Sequence, residues 1–322
     1  TRKNKAQTKQ HPNYFGDKKM DTTLSLTSPA KLNLFLHING RRPNGYHELQ
    51  TVFQILDRGD TLHFDLIEST EINIEPFFKE IPLESNLVYR AAKLLQETEA
   101  YLMNTSSYKG VKIHLEKSLP MGGGIGGGSS NAATTLLALN QLWGLDLTRR
   151  ELATLGATLG ADIPVFVHGK SAWAEGIGDI ITPISLPESW FVIITPDCHI
   201  STAEIFSNER LTRDTPKMRI AAALEGQATN HFYNGFNNDC ESLVSKLYPQ
   251  IQKALTLLNK FGNARLTGTG ACCFARFNSE EKAQQVLNEV SSEFKGFIAK
   301  GVNLSPAFQR LNKANSFAKN ET

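Results

Sequence analysis

A glycine-rich stretch near the middle of the chain constrains the fold more than any other feature. Residues 120–133 contain six glycines. Apolar residues alternate over 111–115, just before this stretch, and predict a strand. After it, apolar residues recur at helical spacing up to Trp143, and Gly144 stands where a helix would end. The predicted order is therefore strand, glycine loop and helix.

A loop of this kind is suited to binding an anion. Because glycine has no Cβ, the backbone can turn its N–H groups inward and approach a ligand closely. Ser129 or Ser130 is expected to cap the following helix, whose positive end then faces the loop. The loop, the cap and the helix end together predict a phosphate site.

Two common phosphate loops fit this stretch poorly. A Walker A loop ends in Gly-Lys-Ser/Thr, and no lysine follows these glycines. A dinucleotide-binding loop lies near the start of its domain and precedes an acidic residue by about twenty positions. Here Asp146 is closer than that, and more than a hundred residues precede the loop. A dinucleotide-binding oxidoreductase is therefore disfavoured, but it stays an alternative.

Length and composition limit the classes of protein to which the chain can belong. A chain of 322 residues predicts two domains, and 40% hydrophobic residues suffice for their cores. The net charge of +2 indicates no overall preference for nucleic acid or membranes. No run of about eighteen apolar residues is present, so no membrane span is expected. Four cysteines, two of them adjacent, favour a reduced, cytoplasmic compartment over a disulfide framework.

The two ends of the chain differ from the rest. Residues 1–20 hold six lysines and arginines against a single acid, Asp17, which predicts a disordered basic extension. They lack the apolar segment of a signal peptide. Whether Met20 is an alternative start stays open. Residues 313–322 are expected to form a polar tail.

Between these ends we expect two domains joined by a crossover at 183–190. Residues 21–185 would form an N-terminal nucleotide-binding domain, and 186–312 a C-terminal domain that binds substrate and closes the cleft. In the C-terminal part the order helix, strand, strand, helix, strand is typical of an α+β layer. The predicted strands cover 24–38 (interrupted at Pro29), 49–55, 191–195, 264–266, 273–277 and 297–302. The predicted helices cover 85–97, 239–261 and 282–290. A loop is predicted at 201–206, and loops with one helix are predicted at 207–235.

Several polar residues stand where a structural role and a functional role are both open. Lys31 and Asn33 lie two apart in a predicted strand, so they point to the same face. Lys31 is either an ordinary surface lysine or an active-site cation. Tyr46 and His47 follow a turn and are either strand surface or substrate contacts. Asp162 lies between a glycine and a proline in an apolar segment, where it is either a turn residue or a functional carboxylate.

Three separated motifs resemble those of the GHMP kinases, the family of galactose, homoserine, mevalonate and phosphomevalonate kinases. They are Ser-Pro-Ala-Lys-Leu-Asn-Leu at 28–34, the glycine loop at 120–133 and Thr-Gly-Thr-Gly-Ala at 267–271. The resemblance covers about 24–311. It implies a two-domain α+β fold, with an N-terminal domain like domain 2 of ribosomal protein S5 and a ferredoxin-like C-terminal domain. It also implies ATP as the phosphoryl donor, accompanied by Mg²⁺ with unknown ligands.

The resemblance also implies roles for single residues. Lys31 and Asp162 match the family's catalytic pair, with Asp162 as the base and Lys31 as its charge partner. The Gly-Tyr-His segment ending at His47 is typical of members that phosphorylate the 2-hydroxyl of 4-(cytidine 5′-diphospho)-2-C-methyl-D-erythritol, in the non-mevalonate route to isoprenoids. The implied ATP-binding residues are Asn86, Leu87, Pro120, Met121, Gly122, Gly123, Gly124, Ile125, Gly126, Gly127, Gly128, Ser129 and Ser130. The implied substrate-binding residues are Asn33, Tyr46, His47, Phe206, Thr267, Gly268, Thr269 and Gly270.

Three other functions stay open from the sequence. One is a GHMP kinase for another small molecule, against which the Tyr46–His47 segment argues. The others are the oxidoreductase named above and a non-catalytic binding protein, against which Lys31 and Asp162 argue. The expected partner is a small-molecule cytidine diphosphate, with neither nucleic acid nor membrane. The chain is expected to be a monomer or a weak homodimer.

Overall fold

The computed structural model describes residues 22–76, 81–104, 109–220 and 235–312. The predictions for 1–20 and 313–322 lie outside these ranges, as does part of the predicted loop region at 207–235. No helix in the described ranges is both long enough and apolar enough to cross a membrane. The four cysteines are free, as the sequence predicts.

The fold is a mixed α+β architecture, which confirms the predicted class. The strands of the described ranges are β1 Thr23–Arg41, β2 His47–Ile67, β3 Ile72–Glu75, β4 Gly110–Glu116, β5 Ala172–Glu175, β6 Ile180–Pro183, β7 Ser189–Thr195, β8 Ala264–Leu266, β9 Cys273–Phe277 and β10 Lys295–Val302. The helices are α1 Leu87–Gln96, α2 Glu99–Leu102, α3 Gly127–Leu142, α4 Arg149–Ala157, α5 Ile163–His168, α6 Thr202–Ser207, α7 Glu241–Leu247, α8 Pro249–Leu258 and α9 Glu280–Val290. A further helix covers 306–312.

These strands form one sheet that runs through both halves of the chain. Its main path is β3-β4-β2-β10-β7-β9-β8, while β1 and β5 pair with β2, and β6 pairs with β5. The halves meet where Gly301 and Val302 of β10 pair with Leu56 and Ile55 of β2. The site described below is therefore built on a continuous sheet.

Three buried clusters of apolar side chains form the core. One packs α1, α3, α4 and α5 on the N-terminal strands, and a second packs α7, α8 and α9 on the C-terminal strands. The third draws on both halves and includes Phe35, Trp173, Phe191 and Phe274. Because burial of apolar area is the main favourable term in folding, this shared cluster fixes the two halves against each other.

Strand β1 passes through Pro29 instead of stopping there. Its pairing with β2 shifts register between Pro29 and Lys31. Proline has no N–H for the ladder, and a bulge accommodates it. The Lys31 N–H donates to the Ile125 carbonyl at 3.0 Å. The predicted interruption is thus a bulge that ties the glycine loop to the strand.

Two other sequence predictions are wrong in detail. The helix predicted over 239–261 is two helices, because Pro249 cannot continue α7 and instead opens α8 after an extended Tyr248. The loop predicted at 201–206 contains α6, whose N-terminus is capped by the Ser201 hydroxyl accepting from the Glu204 N–H. Both differences come from single residues at an element boundary.

Candidate active site

A cavity of about 520 Å³ opens where β1, the glycine loop, α3, α5, α6 and the loop at 267–271 meet. Most of the residues expected to bind ligand line its wall. They are Lys31, Asn33, Asn86, Leu87, Pro120, Met121, Gly122, Gly123, Gly124, Gly126, Gly127, Gly128, Ser129, Asp162, Phe206, Gly268 and Thr269. Chain segments far apart in sequence thus converge on one space.

The remaining expected residues lie behind the wall or outside it. Ile125, Ser130 and Thr267 are almost fully buried beneath the cavity surface. Tyr46 is 59% exposed and is not among the wall residues. His47 is buried, with its ring 4.9 Å from that of Phe206. Gly270 belongs to the loop whose Gly268 and Thr269 do line the cavity.

Helix α3 begins at the glycine loop itself. Its first residue is Gly127, and Gly126 occupies the N-cap position with φ +74° and without a side-chain cap. The prediction that Ser129 or Ser130 caps this helix is therefore wrong. Ser130 instead accepts a hydrogen bond from the Ser28 hydroxyl at 2.8 Å, inside the core. Both serines are already in the first helical turn, because a glycine at positive φ starts the helix three residues earlier than Ser130.

The start of α3 presents free backbone donors to the cavity. The first N–H groups of a helix have no partner within the helix. The Ser130 N–H is the first that donates to a carbonyl, that of Gly126 at 2.8 Å. The preceding residues, Gly127, Gly128 and Ser129, line the wall. These N–H groups and the positive end of the helix form an anion site.

Lys31 and Asp162 meet inside this cavity. The Lys31 Nζ lies 3.2 Å from the Asp162 Oδ2. It also donates to the Asn33 Oδ1 at 2.6 Å and the Gly124 carbonyl at 3.2 Å, and it lies 5.1 Å from the centre of the Phe53 ring. Lys31 is 3% exposed, so the surface-lysine alternative is excluded. A buried ammonium held by three oxygens is a fixed positive charge.

Asp162 occupies the N-cap position of α5 without acting as a cap. Its side chain makes no capping hydrogen bond to that helix and turns to Lys31 instead. The carboxylate remains 35% exposed. It is therefore anchored on one side and accessible to a ligand on the other.

Asn33 connects β1 to the loop at 267–271. Its side-chain amide donates to the Thr51 hydroxyl at 3.0 Å, and its backbone N–H donates to the Thr267 hydroxyl at 3.0 Å. As predicted from their spacing, Lys31 and Asn33 share one face of the strand. The hydrogen bonds of Asn33 hold the base of the Lys31 site in place.

A second buried charge pair supports the entry to the glycine loop. The Asp60 carboxylate is fully buried, and it accepts from the backbone N–H groups of Ser118 and Leu119, both at 2.9 Å. It also binds the Lys117 Nζ at 2.5 Å. Lys117 lines the cavity, and a Cβ on Gly127 would lie 3.6 Å from its Nζ. A second cation therefore stands beside the start of α3.

Sequence reasoning missed both members of this pair. Lys117 lies three residues before Pro120, where the glycine-rich stretch begins, and this proximity could have identified it as a candidate phosphate-binding cation. Asp60 had no local signal, since it lies inside β2, far from the loop in sequence.

Comparisons with known proteins agree with this geometry. The family models described as the GHMP kinases N-terminal domain and the GHMP kinases C-terminal region match residues 86–170 and 220–296. The 4-diphosphocytidyl-2-C-methyl-D-erythritol kinase of Hahella chejuensis is 53% identical over 293 residues, covering 90% of this chain and 97% of that protein. The protein of the same name from Pseudomonas aeruginosa is 49% identical over 292 residues, covering 91% and 99%.

Solved structures give the same picture. A crystal structure of a 4-(cytidine 5′-diphospho)-2C-methyl-D-erythritol kinase is similar with a TM-score of 0.73 and 28% identity, covering 87% of this chain and 100% of that one. A homoserine kinase from Cytophaga hutchinsonii is similar with a TM-score of 0.65 at 16% identity, covering 90% and 98%, which is a likeness of fold alone.

Proposed function

Since this chain belongs to the GHMP kinase family, we propose that it transfers the γ-phosphoryl group of ATP to the 2-hydroxyl of 4-(cytidine 5′-diphospho)-2-C-methyl-D-erythritol. It is an ATP-dependent small-molecule kinase, which removes the oxidoreductase and the non-catalytic alternatives. The choice of acceptor is supported by the names of its curated relatives. We place the reaction in the non-mevalonate route to isoprenoid precursors and in the cytoplasm, with a monomer or weak homodimer as the working form.

The ion pair between Lys31 and Asp162 carries the mechanistic part of the proposal. Phosphoryl transfer requires the attacking hydroxyl to be in line with the γ-phosphoryl group and the charge on that group to be offset. The exposed side of Asp162 is placed to accept or orient the hydroxyl proton. Lys31 holds that carboxylate and offsets negative charge on the transferring group.

The residues between α1 and α3 fit ATP. The apolar side chains of Ile81, Leu87, Val88 and Leu115 line this part of the wall and suit a purine. Asn86 caps α1 by accepting from the Val88 N–H at 2.9 Å, which fixes the adenine side of the wall. The first turn of α3 and the Lys117 ammonium would hold the phosphates.

The chain also fits the Mg²⁺ that accompanies ATP. Such an ion takes most ligands from phosphates and water and needs only one or two carboxylates. Asp162 is the sole carboxylate among the described wall residues and is paired with Lys31, so the ion would take its ligands mainly from the phosphates and water. When bound, the ion would neutralise charge on the phosphates.

The acceptor side is formed by α6 and the loop at 267–271. Phe206, Thr202, Gly268 and Thr269 line it, and the Thr202 and Thr269 hydroxyls are 2.9 Å apart. The Phe206 ring offers a flat partner for a pyrimidine. His47, packed against Phe206, supplies a polar group for the edge of the base.

A phosphate-transfer assay with ATP tests the proposed reaction. The cytidine-diphosphate polyol should be phosphorylated with kcat/KM at least about a hundredfold higher than homoserine or mevalonate, because unpaired polar groups penalise the wrong ligand. Equal or faster turnover of homoserine or mevalonate would refute the assignment.

Phe206→Ala is expected to weaken binding of the cytidine substrate by roughly ten- to hundredfold, because stacking contributes about 1–3 kcal/mol per base. ATP affinity should stay unchanged, since α6 lies on the acceptor side. Titrations with ATP and with a cytidine diphosphate analogue measure both. Phe261→Ala, at a half-buried phenylalanine outside the wall, is the matched control. Equal losses for both ligands would show that Phe206 is a core residue.

A further inference from the structure

Arg213, in the segment after α6, donates hydrogen bonds from all three of its guanidinium nitrogens. Its Nη1 donates to the Leu211 carbonyl at 3.1 Å, and its Nη2 donates to the carbonyls of Phe206 at 3.0 Å and Asn208 at 2.7 Å. Its Nε donates to the His47 Nε2 at 3.0 Å. Carbonyls at the end of a helix lack partners within the helix, so this arginine caps α6 and is held in one orientation.

The bond to His47 determines which ring nitrogen carries the proton. An arginine side chain is always protonated and has no acceptor, so its Nε can only donate. The His47 Nε2 must therefore be unprotonated, and the proton of the neutral ring lies on Nδ1. Nδ1 forms no hydrogen bond with any residue that the structure describes. The ring thus keeps one uncommitted polar atom, and that atom is a donor.

The surroundings of His47 favour the neutral form of its ring. Burial above all, and then the positive charges of Arg213 and Arg41, lower the pKa of the histidine. Glu48, the next residue on the strand, is held by cations of its own, Arg42 at 2.5 Å and Lys217 at 3.7 Å. No described carboxylate is therefore positioned to favour the imidazolium.

We infer that Arg213 is a positioning residue that holds His47 as the Nδ1–H tautomer and thereby makes the acceptor site select cytosine over uracil. This rests on the proposed function, in which the pyrimidine stacks on the wall residue Phe206 and its edge reaches His47, whose ring packs against Phe206. The same arginine bonds the Phe206 carbonyl, so it fixes both members of the aromatic pair. The N3 of cytosine accepts a hydrogen bond, whereas uracil carries N–H there. Two donors facing each other leave both unpaired, which penalises uracil.

Competition with two nucleotides tests this role. Inhibition constants of cytidine 5′-diphosphate and uridine 5′-diphosphate are measured against the cytidine-diphosphate polyol, for wild type and Arg213→Met. The variant should lose about tenfold or more of the preference for the cytidine nucleotide, with the KM for ATP unchanged. Arg210→Met removes an exposed arginine from the same segment and is the matched control. The double variant His47→Phe/Arg213→Met should be no less selective than His47→Phe, because Arg213 acts through His47.

The pH dependence of the preference for the cytidine nucleotide distinguishes control of the His47 tautomer by Arg213 from a purely structural role of Arg213. In wild type the preference for the cytidine nucleotide should be constant from about pH 8 to pH 6, because Nδ1 carries a proton both in the neutral tautomer that Arg213 holds and in the imidazolium. In Arg213→Met it should be low at about pH 8, where the proton is shared between both nitrogens. It should rise as the pH falls through the histidine pKa, ordinarily about 6.5, because the imidazolium donates from both nitrogens.

Each of three results would overturn the inference. One is wild-type selectivity in Arg213→Met, and another is a loss of selectivity that does not change with pH. The third needs no variant: nitrogen NMR of the wild-type protein should show His47 protonated at Nδ1, and an Nε2–H tautomer contradicts the role of Arg213. A wild-type protein without any preference for the cytidine nucleotide would instead refute the proposed function.

Discussion

Asp162→Asn is expected to lower kcat by roughly 10²-fold or more while ATP affinity stays nearly unchanged. Asparagine keeps the size of the side chain but cannot accept the proton of the attacking hydroxyl. The bonds from Lys31 to the Asn33 Oδ1 and to the Gly124 carbonyl remain, so the site keeps its shape. Steady-state kinetics at saturating ATP measure the change in kcat, and calorimetric titration measures ATP binding.

The control for this variant is Asp65→Asn, at an exposed position of β2 that is not among the wall residues. It should leave both quantities unaltered. Lys31→Met should also lower kcat strongly, and the double variant of Lys31 and Asp162 should be less than additive, because the pair acts as a unit. A near-normal kcat for Asp162→Asn would make the carboxylate only a structural partner of Lys31.

Gly124→Ala is expected to raise the Kd for ATP at least about tenfold and to lower the melting temperature. Gly124 has φ +72°, where a side chain costs about 1–2 kcal/mol. A Cβ there would lie 2.5 Å from the Thr267 carbonyl oxygen and 2.8 Å from that of Gly270. These atoms are backbone and cannot move aside cheaply. The loop must therefore shift away from the 267–271 loop, carrying the carbonyl that Lys31 binds.

Calorimetric titration with ATP and thermal unfolding measure both effects on the same sample. Gly40→Ala is the matched control, because a Cβ on Gly40 would meet no atom within 4 Å and its φ is not positive. Wild-type ATP affinity in a folded Gly124→Ala protein would show that the glycine loop is not the phosphate site.

The local elements around the site could be predicted from short stretches of sequence. The order of strand, glycine loop and helix followed from apolar spacing over 111–143, and the structure has β4 and α3 in those places. Thr148 and Glu151 stand at the three-residue spacing of a capping box, and that box forms at the start of α4. These features depend on residues within a few positions of each other, so short-range periodicity and hydrogen bonding suffice to specify them.

The contacts between polar residues of the site, in contrast, depend on the tertiary structure. A lysine at position 31 would suit an exposed position of the strand equally well. Nothing in the neighbouring sequence indicates that its side chain is buried against Asp162. The full burial of Asp60 beneath the glycine loop and the bond from Arg213 to His47 likewise join residues from distant segments. Such pairings depend on strand register and on how helices pack on the sheet. Those are set by burial of the whole core, which no local stretch of sequence contains.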